Sequence, residues 1–114
     1  MLDREITLSN GKDYFDLEMY LGVGSMIAIE KELKANYGPD INFFSGLKLI
    51  EKGELTAALI YICGTLHEYG KVSPIGLTYF DKHGINFLEY SNELTRKLIS
   101  VIESSTKPSV NRKK

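Results

Sequence analysis

At 114 residues, 43% hydrophobic and 25% charged, the chain has the composition of one globular domain able to build a single core. Its net charge of −1 hides an asymmetry: of 14 bases, four (Lys107, Arg112, Lys113, Lys114) fall in the acid-free segment 104–114, which leaves ten against 15 acids, a net −5, for the rest. An acidic body argues against nucleic-acid binding, which needs a basic face to neutralise phosphates, and a single cysteine rules out an internal disulfide and fits a reducing compartment. The longest apolar run, 55–69, is shorter than the roughly 20 residues a membrane-spanning helix needs. The opening MLDREITLSNG has early acids and no apolar centre, so it does not read as a signal peptide.

In chain order, residues 5–9 alternate with Ile6 and Leu8 on one side, and 14–19 alternate with Phe15, Leu17 and Met19. Asn10-Gly11 between them suits a type I′ turn, so EITLS-NG-KDYFDLEM predicts an amphipathic hairpin. A lone hairpin is marginal and must lay its apolar side on helices. Gly22, Gly24 and Ser25 break the strand, with Ser25 as the expected cap of a helix whose stripe is Met26, Ile29, Leu33 and Tyr37, ended by Gly38-Pro39. Asp40 or Asn42 caps a second helix carrying Phe43, Leu47 and Ile50, closed by Gly53.

The third predicted helix, 54–69, is the most informative segment. Leu55, Ala58, Leu59, Ile62, Cys63, Leu66 and Tyr69 form a broad apolar face, while Thr56, Ala57, Ile60, Gly64 and His67 form a small, weakly polar one. A helix apolar nearly all round has to be covered on both sides. Ser73-Pro74 predicts the start of a short helix with Leu77 and Phe80, ending at His83-Gly84. Asn86 caps a last helix with a seam of Phe87, Tyr90, Leu94, Leu98 and Val101, fading after Glu103. The expected fold is mainly α: an N-terminal β-hairpin followed by five helices packed as a small bundle, with residues 1–103 as the domain and 104–114 as a flexible basic tail.

Few residues suggest chemistry. Gly22-Val23-Gly24 sits between strand and helix, but the third glycine of a dinucleotide fingerprint is replaced by Ile27 and no phosphate-loop lysine follows. Cys63 and His67 are one helical turn apart, yet Cys63 lies on the greasy face, where a thiol is a core residue rather than a nucleophile. His67 then reads as half-exposed near a helix end. His67, Glu68 and His83 lack any zinc spacing. Asp81 with His83 and Glu51 with Glu54 lie beside turn glycines, where charge follows solvent. The expectation is a non-enzymatic protein with no metal or cofactor. The surplus is apolar: Ile27, Phe44, Leu49, Ile60, Tyr61, Tyr79, Leu88 and Ile99 fall off the core stripes, and a contiguous patch of such residues marks an interface. Phe44, Ile60, Tyr61, Tyr79, Leu88 and Ile99 are the expected partner-binding residues.

The hairpin ITLSNGKDYFDLEM, the acidic-centred MIAIEKEL, the run FFSGLKLIEKGELTAALIYICGTLHEYGKVS and the closing amphipathic helix resemble, over residues 5–103, the tail assembly chaperones of long-tailed phages of Gram-positive bacteria. The resemblance implies a chaperone of the host cytoplasm that coats the tape-measure protein, a long helical and hydrophobic client, until tail-tube subunits displace it. It also implies self-association or many copies per client, because moderate affinity per site is made effective by multiplicity. Members of that family are often made in two lengths by a ribosomal frameshift, and Lys113-Lys114 can encode the run of adenines on which ribosomes slip. The alternative is a small helical adaptor or regulatory module that binds a peptide or protein partner, with nucleic-acid contacts through the basic tail.

Overall fold

Residues 4–106 of the chain are described by a computed structural model. Helix makes up 58% of it, so the mainly-α expectation is roughly right, but the sheet is larger than a hairpin. Strands β1 (Glu5–Ser9) and β2 (Tyr14–Met19) pair antiparallel, and a third, β3 (Leu66–Glu68), joins the other edge of β2. The helices are α1 (Val23–Tyr37), α2 (Phe43–Glu51), α3 (Leu55–Thr65), α4 (Tyr79–His83) and α5 (Phe87–Thr106).

The hairpin pairs Ile6 with Leu17 and Leu8 with Phe15, so one face presents Ile6, Leu8, Leu17 and Met19 to the core. Period-two alternation demands this, since a one-residue slip would turn every apolar side chain outward. The turn is not type I′. Asn10 does not adopt the positive φ that a type I′ turn requires. Residues 10–13 instead form a longer loop in which the Asn10 carboxamide oxygen accepts from the N–H groups of Lys12 and Asp13, both at 2.8 Å. Its Nδ2 donates to the carbonyl of His83 at 2.8 Å, tying the hairpin to the end of α4.

Helix α1 starts earlier than expected. Gly22 is its cap, and Ser25 sits in the first turn, its Oγ accepting from Gly22 N–H at 3.1 Å and donating to the Tyr20 carbonyl at 3.2 Å. At the other end Lys34 Nζ donates to the carbonyls of Pro39 and Ile41, which fastens the loop into α2. Asn42 caps α2 as expected, its side chain accepting from Ser45 N–H while Ser45 Oγ accepts from Asn42 N–H.

Helix α3 lies at the centre, packed by α1, α2 and α5. Ala57, Ile60, Tyr61, Ile62, Cys63, Gly64 and Thr65 are all buried, and full burial of each large side chain stabilises by about 1.5–3 kcal/mol. The covering comes from the domain itself. On the side expected to be weakly polar, Ala57, Ile60 and Gly64 are buried and Thr56 is exposed, while Leu55 at the start of the apolar face is exposed. Gly64 lets α1 approach: a Cβ there would stand 2.5 Å from Ile29 Cγ1.

Two segments differ from the sequence expectation. The predicted helix 54–69 ends at Thr65, whose hydroxyl turns back to the carbonyls of Tyr61 and Ile62. The chain then runs extended, because the free edge of β2 offers Glu18 and Met19 as partners to His67 and Leu66. That pairing satisfies backbone groups a longer helix would leave orphaned. The predicted helix from Pro74 starts only at Tyr79: Pro74 bridges to His67, and Ile75 N–H donates to the Leu66 carbonyl at 2.9 Å. The element order is therefore ββαααβαα. Residues 104–106, expected in the tail, continue α5, and 107–114 lie outside the described residues.

Candidate functional site

The sequence candidates for chemistry fold into structural roles. The glycines of Gly22-Val23-Gly24 open α1, and the space above Gly24 is closed by the Val72 carbonyl and the Pro74 ring, 3.5 and 3.9 Å from where a Cβ would stand. Cys63 is buried, and burial pushes its thiol up to about 12. Glu51 and Glu54 are exposed, with Tyr37 donating to Glu54. His83 is partly buried between the rings of Tyr79 and Phe15, with centroids 4.3 and 5.0 Å away. No three His, Cys, Asp or Glu side chains come together among the described residues.

His67 is not the half-exposed residue of a helix end. It lies on β3, fully buried, because β3 carries it under the ring of Tyr20. Its Nε2 stands 3.5 Å from Ser25 Oγ. A serine beside a histidine invites a nucleophile reading, but both side chains are wholly enclosed. The Ser25 hydroxyl proton goes to the Tyr20 carbonyl, and its oxygen already accepts from Gly22 N–H. A substrate has no access to it, and the pair builds the start of α1.

The residues expected to bind a partner separate into two groups. Ile60, Tyr61 and Tyr79 are core residues, which corrects the surface role read for them. Ile60 and Tyr61 lie on sides of α3 that neighbouring helices cover, and the Tyr61 hydroxyl donates to the Phe43 carbonyl. Burial, reinforced by the nearby Glu30 carboxylate, raises the Tyr61 phenol far above its ordinary titration range. Tyr79 is held against Phe15, Phe80 and His83. Phe44, Leu88 and Ile99 are exposed as expected. They do not form one patch: Leu88 and Ile99 lie eleven positions apart on α5, about 16 Å along its axis, and Phe44 rests edge-on against Phe43 on α2.

Another group of exposed apolar residues lies elsewhere. At the start of α1, Val23 is 77% exposed, Met26 40% and Ile27 65%, and Val72, whose backbone covers Gly24, is 82% exposed. Val23, Met26 and Ile27 stand three and four residues apart, so their side chains adjoin on the helix surface. No charged residue occurs from Tyr20 to Ile29. Sequence periodicity picked out Ile27 but placed Met26 on the buried stripe and passed over Val23 and Val72. The signal available was the ten-residue stretch without charge, since an ordinary solvated helix face carries Lys or Glu.

Compared with known proteins, no family model, curated protein or solved structure matches the chain. No helix among the described residues is long and apolar enough to cross a membrane.

Proposed function

We propose that the protein is a non-enzymatic assembly chaperone that binds and solubilises the tape-measure protein during phage tail morphogenesis in the host cytoplasm, as the sequence resemblance implies. The observation that supports this reading is the uncharged apolar surface of Val23, Met26, Ile27 and Val72 at the start of α1. A long amphipathic client helix presents apolar anchors at i, i+3, i+4 and i+7, and a helix-borne patch of the same spacing receives such anchors. One small patch gives weak binding, so hold on the client comes from many copies along its length, with self-association between them, and release to the tail-tube protein stays cheap.

Coexpression tests this directly. An insoluble tape-measure fragment is expected to become soluble when made with a stoichiometric amount of this chain, and to stay insoluble with Val23→Asp/Ile27→Asp. Both positions are exposed, so the double variant keeps its fold, which circular dichroism checks. A fragment that remains insoluble with the natural chain removes the proposal. Equal rescue by the double variant moves the binding surface away from α1.

A further inference from the structure

Beneath the α1 patch lies a titratable group that no function described above uses. The imidazole of His67 is fully buried. Tyr20 covers one face of the ring in a parallel stack, with centroids 3.8 Å apart. Nε2 points toward Ser25 Oγ at 3.5 Å, and Nδ1 has no hydrogen-bond partner. A neutral ring with Nε2–H aimed at Ser25 leaves a bare Nδ1 lone pair, a state that burial tolerates far better than a buried cation.

Three pieces of structure converge on this one ring. Tyr20, at the end of β2, donates its N–H to the Thr65 carbonyl at 2.9 Å and its hydroxyl to the Lys71 carbonyl at 3.2 Å. Ser25 holds the first turn of α1, and Pro74 bridges to His67 from the loop that carries Val72. The geometry points to His67 as an acid-sensitive latch: its protonation frees Tyr20, the first turn of α1 and the 71–75 loop from β3 while the α3–α5 core stays folded.

The charged surroundings do not supply the missing compensation. From β2, Glu18 is paired directly across from His67 and favours a proton on it, as does the backbone of Thr65 and Glu18. Ahead of β1, Arg4 opposes it, its guanidinium lying 5.0 Å over the other face of the Tyr20 ring. From α1, the facing turn carries no charge at all. On the other side of β3, Glu68 is engaged by Lys71 at 3.8 Å. Burial outweighs these attractions and holds the imidazole below its ordinary titration range. Tyr79, packed near Phe15 and His83, donates its hydroxyl to the same Glu68 carboxylate at 3.4 Å, and His83 lies beyond it toward the hairpin loop.

The test is amide hydrogen exchange with NMR titration of the His67 ring, on the full chain, from about pH 7.5 to about pH 5. After correction for intrinsic exchange, protection at Tyr20, Met26 and Ile75 is expected to fall by up to about tenfold per pH unit as pH drops from the ordinary histidine value of about 6.5 toward the lower His67 titration point, and then to level off, while Leu94 and Leu98 keep theirs. In His67→Phe, which retains the stack and removes the proton, those amides are expected to be insensitive to pH. Flat protection at Tyr20 and Met26 while His67 titrates, or a fall that persists in His67→Phe, overturns the latch. Loss of protection at Leu94 together with Tyr20 also overturns it, because protonation then unfolds the whole domain. Should His67→Phe not fold, coincidence of ring titration and local exchange in the natural chain still decides between these results.

Discussion

The ring of Tyr20 lies flat on the imidazole of His67, 3.8 Å between centroids and 7° from parallel. The contact joins the residue that follows β2 to a strand more than forty residues later, and it seals a histidine where water cannot reach it. Its first consequence is thermodynamic. Burial lowers the folded-state titration of His67 from its ordinary 6.5, so the unfolded chain binds more protons and stability rises with pH. The contribution of His67 is complete above about pH 6.5 and is lost as pH falls below it. Urea midpoints are expected to drop between about pH 7 and about pH 5.5 in the natural chain, and to change less in His67→Phe. Equal slopes in both proteins would assign the pH dependence to other groups.

Gly64 is the point where α1 and α3 touch. With Ile29 Cγ1 2.5 Å from the position of an added Cβ, Gly64→Ala overpacks the crossing and is expected to cost about 1–3 kcal/mol. Ile29→Ala in the same chain removes the clash, so the double variant should cost less than the sum of the single ones. Strict additivity in a denaturation cycle would mean that the helices separate at no cost.

Tyr61 reaches from α3 to the Phe43 carbonyl at the start of α2, entirely inside the core. The Phe43 carbonyl also accepts the first-turn bond within α2, so Tyr61→Phe removes one of its two bonds and is expected to lose about 0.5–1.5 kcal/mol without change in secondary structure. Ile60→Asp and Tyr61→Asp, by contrast, bury a charge and should abolish the cooperative thermal transition. A folded Tyr61→Asp variant would place that residue on a surface after all.

The Cys63 thiol, enclosed and held up at about 12 by burial, carries almost no thiolate at neutral pH. Labelling by a thiol-specific disulfide reagent is expected to be slow in the native protein and to become fast in denaturant. Rapid stoichiometric labelling of folded protein would show that α3 is accessible.

Asn42 joins helix α2 to its preceding loop through two reciprocal bonds with Ser45. Asn42→Ala is expected to cost about 1 kcal/mol, and Asn42→Ser much less. Equal losses for the two would show that the cap is not the source of the effect.

Much of this molecule was legible from its residues. Alternation in 5–9 and 14–19 gave the hairpin and its buried face. Ile29 and Leu33 of α1 and the stripes of α2 and α5 follow from helical spacing, though Met26 does not, and Asn42 announces its helix. The all-round apolarity of 55–65 demanded a central position, which α3 occupies. Patterns of this kind survive because they depend on near neighbours in the chain.

What sequence periodicity missed depends on distant neighbours. Leu66-His67-Glu68 reads as helix until the free edge of β2 is placed beside it, and only then does the extended form satisfy more backbone groups. Three of the six expected partner residues, Ile60, Tyr61 and Tyr79, are buried because α1, α2 and the hairpin close over sides of their helices that periodicity left open. Val72 became part of an apolar surface because the 71–75 loop folds back onto the start of α1. The chain by itself determined its elements and the central place of α3, since those follow from hydrophobic period and caps. The tertiary structure alone decided which apolar side chains stay in water and which histidine is sealed from it, since exposure belongs to the assembled surface and not to any single element.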